Sequence, residues 1–244
     1  MIGIYAIGEK RIEIHSLWED VHTRCALYRA DGQPDFRVRI TASDIELERE
    51  RSAREDETKG RPVRHFSDGY LETLAVYRKI AERMPDYDTF LFHGSAVSVD
   101  GKAYLFTAKS GTGKSTHTRL WRELLGSRAV MVNDDKPLIR VTDGAPLVYG
   151  TPWDGKHRLS RNVAVPLCAI CVLGRAAENR ITPITKSEAL PMLIQQTYRP
   201  AEPVALAKTM SLIDRLNVRF YRLGCNMELS AAELSYHTMK GKST

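Results

Sequence analysis

Ala103-Tyr-Leu-Phe106 runs almost directly into Ala108-Lys-Ser-Gly-Thr-Gly-Lys-Ser115, and a helical pattern follows from His117 to Leu125. An apolar strand, a glycine-rich turn, Lys-Ser and a helix form the layout of a phosphate-binding P-loop. Small residues let backbone N–H groups turn inward around an anion. The helix N-terminus adds unpaired donors and the positive end of its dipole. In this layout Ser110, Gly111, Thr112, Gly113, Lys114, Ser115 and Thr116 surround the phosphates. Lys114 reaches the terminal ones, and the Ser115 hydroxyl holds Mg²⁺. The usual pattern opens with Gly, where this chain has Ala108. Ala fits the turn provided its φ stays negative. The same residues also suit an ordinary glycine-rich turn before a helix.

Upstream, Ser95–Val99 and Lys102–Phe106 flank Asp100-Gly101, a strong hairpin signal. Downstream, Ala129-Val-Met-Val132 reads as a buried strand that ends at Asn133-Asp134-Asp135. Further strands are expected at 137–141, 147–149, 167–173 and 218–223, and helices at 187–197, 204–216 and 231–239. A helix over residues 70–81 carries Leu71, Leu74, Tyr77 and Ile80 at helical spacing. Ser67 or Asp68 caps it and Pro85 stops it. Before it, residues 2–7, 11–14, 25–28 and 36–40 read as short strands. Residues 44–64 are highly charged and read as a solvated helix or a mobile loop. The expected fold is α/β, with antiparallel hairpins mixed into the sheet and a P-loop. A β-rich N-terminal subdomain over 1–65, with its charged segment 44–64, precedes a P-loop core over 66–244.

The chain has 244 residues, 43% hydrophobic and 27% charged, with a formal net charge of +6. That suits one sizeable core and an appended subdomain, and excludes a disordered chain. The positive balance favours anionic ligands such as nucleotides or acidic peptides. No dense Lys/Arg tract interleaved with aromatics argues for nucleic acid. No signal-peptide pattern and no membrane-length apolar run is present, so a cytoplasmic location is expected, with no membrane partner. Cys168 and Cys171 form a CxxC, but inside an apolar run that reads as a strand. Residues three apart on a strand face opposite sides, which favours buried apolar thiols over a shared metal.

A P-loop alone says that a nucleoside triphosphate binds. Asp134 and Asp135 close the strand after the P-loop helix, where an acid can hold Mg²⁺ directly or through water. Two adjacent carboxylates also allow division of labour, one on the metal and one taking a proton from an attacking hydroxyl. His93 precedes the hairpin and can return to the sheet end that carries Lys114. There it would neutralise phosphate charge or tune a carboxylate. Spacing alone equally suits a structural histidine. The loop Gly150–Arg158 offers Asp154, Lys156 and Arg158 beside an aromatic, a composition that suits either a substrate clamp or plain solvated charge.

The combination of His93-Gly94, Ser110-Gly-Thr-Gly-Lys-Ser115 after a hairpin, and Val132-Asn-Asp-Asp135 resembles the HPr kinase/phosphorylase catalytic domain, in particular its smaller HPr-kinase-like members. The loop and the Asp pair also resemble ATP-dependent phosphoenolpyruvate carboxykinase, which shares that nucleotide-binding core. The resemblance is specific over residues 90–135 and weaker over 136–244. It implies a Mg²⁺-dependent, ATP-using kinase acting on the serine hydroxyl of a protein or peptide. By position, Asp135 is the proton acceptor, Lys114 binds phosphates, Ser115 ligates Mg²⁺, and His93 belongs to the active site; that leaves Asp134 as the acid of the pair on Mg²⁺. Thr116 stands where the family has an acidic residue, and Asp154 is the candidate for its downstream metal-binding glutamate. Some HPr-kinase-like proteins act on precursor peptides of ribosomally made natural products. Full-length members are homohexamers, so the resemblance brings a homo-oligomer as an expectation. A small-molecule kinase or carboxykinase relative, and a non-catalytic nucleotide-binding module, are the alternative readings.

Overall fold

A computed structural model describes residues 1–241 of the chain. Its contacts divide the chain into two compact units, Met1–Arg83 and Met84–Thr244. The boundary falls at 83/84; composition alone changes at 65/66.

The first unit holds a three-stranded sheet of β1 (Ile2–Ile7), β2 (Lys10–His15) and β3 (Phe36–Arg39) in the order β1-β2-β3. β1 and β2 form an antiparallel hairpin, and β3 lies parallel to β2. Period-two alternation buries Tyr5, Ile7, Ile12, Ile14, Phe36 and Val38. Three helices accompany the sheet: α1 (Asp20–Arg24), α2 (Ala42–Thr58) and α3 (Asp68–Arg83).

Two sequence expectations change here. Residues 25–28 are not a strand: Ala26–Tyr28 is a 3₁₀ turn after α1. Val21, Cys25 and Tyr28 are buried at spacings of four and three, a helical period hidden in a short run. The charged segment is helical as far as Thr58 and irregular over 59–64, and the helix is opened by Thr41 N–H donating to Asp44 Oδ2 at 2.8 Å. It is not a wholly solvated face. Glu48 and Asp56 are buried, and they pair with Arg51 and Arg78, and with Arg61 and Arg64, respectively.

The second unit is built on a mixed sheet with helices on both faces. Its strands are β4 (Thr89–Leu91), β5 (Ser95–Val99), β6 (Lys102–Thr107), β7 (Ala129–Asn133), β8 (Leu138–Arg140), β9 (Leu147–Tyr149), β10 (Ala164–Arg175), β11 (Arg180–Ile184) and β12 (Arg219–Cys225). β5 and β6 are the expected hairpin, with Asp100 and Gly101 both at positive φ as a tight mirror-image turn requires. β7 pairs antiparallel with β5, and β10 lies parallel to both β6 and β12.

β10 is long because it serves three neighbours. Ala164–Pro166 pair with β9, Leu167–Val172 with β6, and Ala169–Arg175 with β12. The register with β6 shifts between Leu167 and Ala169, placing a bulge at Cys168. The bulge overturns the simple alternation argument for the CxxC. Cys168 and Cys171 both pack against the same hydrophobic cluster, on one side of the sheet. Among the described residues, no group of three His, Cys, Asp or Glu is placed to hold a metal.

α4 (Lys114–Leu125) and α7 (Leu229–Lys240) cover one face, where Leu120, Trp121, Tyr236 and Met239 pack on Tyr104, Phe106 and Cys171. α5 (Lys186–Gln196) and α6 (Pro203–Arg215) cover the other, with Leu193, Leu212 and Ile213 on Leu105, Val132 and Ile170. Complete burial of a side chain such as Phe106 contributes about 2–3 kcal/mol. α6 is capped by Glu202, whose carboxylate accepts the N–H groups of Val204 and Ala205. No helix among the described residues is long and apolar enough to cross a membrane.

Candidate functional site

The glycine-rich loop Ala108–Gly113 links β6 to α4 in the second unit. Ala108 is buried and is not among the residues at positive φ, so it takes the place of Gly without backbone strain. Gly111 and Gly113 do need their freedom, with φ of +79° and +121°, and a Cβ on either would meet open space. The loop is held from outside. Arg175 on β10 donates to the Gly111 and Thr112 carbonyl oxygens, which keeps those acceptors on the β10 side.

The first α4 hydrogen bond runs from His117 N–H to Gly113 O. The preceding N–H groups therefore lack helical acceptors. No side chain caps this end, and no acid lies in the first turn. Lys114 is only 8% exposed. Its ammonium donates to Ala108 O at 3.0 Å, its one hydrogen bond among the described residues. Burial lowers its pKa, partly offset by the charges of Asp135 and Asp134. A buried amine with one neutral acceptor, beside an uncapped helix start, is electrostatically suited to an anion.

β7 carries the acids to this point. Asn133 builds the turn that displays them: its Oδ1 accepts Asp135 N–H at 2.9 Å and Lys136 N–H at 2.7 Å. Its Nδ2 donates to Thr151 O and Oγ1, each at 3.1 Å, so the 150–154 segment is strapped to the same turn. Asp134 is buried and accepts from Ser95 Oγ at 2.6 Å; Ser95 in turn contacts Thr118 Oγ1 at 2.8 Å. Burial raises the Asp134 pKa, while the Ser95 and Ser115 hydroxyls and the His157 charge pull it down. Asp134 and Ser115 are thus neighbours, the pair expected on Mg²⁺. An Mg²⁺ ion takes one or two carboxylates together with phosphate oxygens and water, not a cage of acids. This donor set fits that habit.

Asp135 is half-exposed and meets His93. His93 Nε2 lies 3.3 Å from Asp135 Oδ1, and Lys136 Nζ lies 3.2 Å from the same oxygen. Burial alone would raise the Asp135 pKa. The His93 hydrogen bond and the Lys136 and His93 charges outweigh it and leave the pKa below its ordinary value. The His93 backbone is fixed on both sides, its N–H to Gln196 O and its carbonyl by Thr107 Oγ1, while Gly94 N–H donates to Asp135 O. The structure therefore gathers Lys114, Ser115, Asp134, Asp135 and His93 at one sheet end.

Of the remaining predicted residues, Asp154 lies in the segment that Asn133 and Lys136 tie to the acid-bearing turn. Asp154 is buried and accepts Ser160 N–H at 3.0 Å, which closes its own loop. Lys156 and Arg158 are exposed. Ser110 is exposed and Thr116 half-buried. Ser95, Thr118, Lys136 and Arg175 support the site without a functional signal of their own in the sequence, and Asn133, present in the Val132–Asp135 stretch, had no role assigned there. Only pairing across strands reveals Ser95 and Arg175. Asn133 had a local signal, since Asn before two backbone donors is a common turn former.

A solved structure titled "Structure of the Hpr(Ser) kinase/phosphatase from Coxiella burnetii" is similar over 62% of this chain and 99% of that chain, with 10% identity and a TM-score of 0.35. No curated protein matches the chain. A family model described as "SynChlorMet cassette protein ScmC" matches residues 69–230, about two thirds of the sequence and nearly all of the elements that build the site. The chain belongs to the SynChlorMet cassette protein ScmC family.

Proposed function

We propose that this protein is an Mg²⁺-dependent ATP phosphotransferase acting on a hydroxyl, the serine of a protein or peptide. The observation that carries the reading is the convergence of three parts at one sheet end. They are a buried Lys114 beside an uncapped α4 N-terminus, an Asp134–Ser115 pair, and an Asp135 carboxylate held by His93 and Lys136. The glycine-rich loop then acts as a P-loop and binds the triphosphate through its N–H groups and Lys114. Mg²⁺ bound by Ser115 and Asp134 would neutralise charge on the phosphate oxygens. Serine as the acceptor is supported by the resemblance of residues 90–135 to the HPr kinase catalytic domain.

In this reading Asp135 accepts the proton of the acceptor hydroxyl. The oxygen forms a new bond to the terminal phosphorus as the bond from phosphorus to the bridging oxygen breaks, and ADP departs with that electron pair. The depressed Asp135 pKa keeps this group ionised at neutral pH. His93 holds the carboxylate in place, and Lys114 stays on the phosphates throughout.

The test is mass spectrometry of serine-containing peptides incubated with the protein, ATP and Mg²⁺. Asp135→Asn should lower transfer by roughly 10²–10⁴-fold while ATP still binds. Full activity in that variant would remove Asp135 from its role, and ATP binding without transfer to any hydroxyl would favour a non-catalytic nucleotide-binding module.

A further inference from the structure

Between β9 and β10 the chain makes a loop that is held against the acid-bearing turn. Thr151 Oγ1 donates to Lys136 O at 2.8 Å, and Trp153 O accepts Lys136 N–H at 3.2 Å. At the other end Arg161 N–H donates to Val132 O at 3.3 Å. Both ends are therefore pinned to β7 and the turn after it. Asp154 turns its carboxylate inward to Ser160 N–H, so the loop is closed by its own residues, as compact surface loops are. At Gly155 the backbone comes close to the site: a Cβ there would lie 3.6 Å from Asp135 Cβ and 3.6 Å from Asp134 O. That approach fixes where the next residues stand. Lys156, His157 and Arg158 follow directly, Arg161 ends the loop, and all four are exposed.

These cations have no acid of their own. Asp154, the one acid between residues 150 and 161, is buried and occupied. Among the described residues, the side chains of Lys156, Arg158 and Arg161 make no hydrogen bond and no ion pair. Asp134 and Asp135 are held by other groups, Asp134 by Ser95 and Asp135 by His93 and Lys136. Elsewhere in the second unit exposed cations find acids: Arg128 pairs with Asp100, Lys208 with Asp86 and Arg215 with Asp88. Arg158 also sits at φ +48°, a left-handed conformation that Gly or Asn enters at less cost. The turn itself gives no reason for an arginine there. Like charges crowded into a few residues repel one another, and an anion brought from outside relieves that repulsion.

We infer that this loop reads the acceptor: the protein phosphorylates a serine flanked by acidic residues, whose carboxylates pair with Lys156, Arg158 and Arg161. The inference rests on the phosphotransferase reading above and names its substrate class. Two anions suit such a loop, the acceptor's carboxylates and the nucleotide's phosphates. The phosphates already have Lys114 and the open N–H groups at the start of α4. The loop stands instead against Asp135, the group that takes the acceptor's proton in that reading, and its cations face the solvent from which a peptide arrives. These residues set specificity and do not touch the reacting atoms.

The test uses the whole protein with ATP, Mg²⁺ and three serine peptides of equal length, the serine flanked on both sides by Glu, by Gln or by Lys. Transfer is read by mass spectrometry. kcat/KM should fall from the Glu to the Gln peptide by roughly three- to thirtyfold, as two or three exposed ion pairs imply, and again from Gln to Lys. The contrast should shrink in about 0.5 M salt. Lys156→Glu/Arg158→Glu should reverse the order and leave the KM for ATP unchanged; a variant that prefers the Lys peptide is a folded one. Lys156→Gln/Arg158→Gln should flatten the order. An order that survives charge reversal, or three peptides used equally well by the wild type, would refute the loop's role and leave the phosphotransferase reading in place. A raised KM for ATP with the peptide order unchanged would assign the loop to the nucleotide and refute it too. If no peptide is phosphorylated, fluorescence polarisation with a labelled Glu peptide separates the two readings. Binding that charge reversal abolishes keeps the loop as an acidic-peptide site and removes phosphotransfer; binding indifferent to charge reversal, or none, removes both.

Discussion

Acid should loosen the second unit through one buried ring. His117 has its folded-state pKa lowered from 6.5 to about 4 by burial. Between those values the unfolded chain binds a proton that the folded chain refuses, so stability rises with pH across the window. Its contribution is complete above about pH 6.5 and is lost as pH falls toward 4. One pKa unit corresponds to about 1.4 kcal/mol, which puts the full loss near 3 kcal/mol. At pH 5 the same linkage gives about 2 kcal/mol. His117→Phe has no proton to refuse and should lack this dependence. At pH 7.5 the variant loses the Ser235 hydrogen bond and removes the unpartnered Nδ1, two changes of opposite sign and similar size. The assay is urea unfolding at pH 7.5, 6 and 5, followed by fluorescence in a Trp18→Phe background. That leaves Trp121 and Trp153, both buried in the second unit. A wild-type midpoint falling by roughly 1 M more than that of the variant between pH 7.5 and 5 is expected. Parallel pH dependence in the two proteins would refute the assignment of this proton to His117.

Three further outcomes follow from the site and its frame. In His93→Gln the Asp135 carboxyl loses a partner that lowers its pKa, so the acid limb of the pH–rate profile should move to higher pH; an unmoved limb would separate His93 from the proton acceptor. Lys114→Met keeps the stem and removes a buried amine, so tripolyphosphate affinity should fall roughly 10- to 100-fold while the melting temperature holds or rises; a lower melting temperature with unchanged binding would contradict the anion-site reading. A Cβ at Gly150 would lie 1.8 Å from Arg161 O and 2.7 Å from Val132 O, so Gly150→Ala should cost more than about 3 kcal/mol, and Gly144→Ala, whose Cβ would make one ordinary contact with Thr142 Oγ1 at 3.8 Å, less than about 0.5 kcal/mol; similar urea midpoints for the two would show that the 150–161 backbone yields freely.

The elements that carry the site were legible because their signals are local. Asp100-Gly101 specifies a two-residue turn, Gly-Lys-Ser opens a helix, and Ala129–Val132 is a buried strand followed by acids. The neighbourhood of Asp134 and Asp135 was legible only in part. Ser95 reaches Asp134 because β5 lies beside β7, and Arg175 reaches the loop because β10 lies beside β6. No periodicity within one segment encodes such pairings. The misread at 25–28 is of another kind, four residues being too few to separate a period of 2 from one of 3.6. β11 escaped notice because Arg180–Ile184 is only partly buried and carries Pro183, which weakens any strand signal. The opposite-face placement of Cys168 and Cys171 failed because a single inserted residue at Cys168 cancels alternation beyond it, and bulges leave no reliable mark in sequence.

The three-partner strand β10 also dictates an order of assembly during synthesis. β6 can find β5 as soon as their hairpin leaves the ribosome, and β7 soon closes the far side of β5. The other edge of β6 waits for β10, whose Leu167 pairs with Ala103 made roughly 60 residues earlier, a delay of about 3–12 s at ordinary rates of translation. Through that interval the strand that delivers the glycine-rich loop exposes a bare edge of Tyr104, Leu105 and Phe106 to whatever chain is nearby. Slowed elongation between residues 107 and 167 would lengthen the exposure. The loop's scaffold is therefore the part of the nascent chain with the most need of a chaperone.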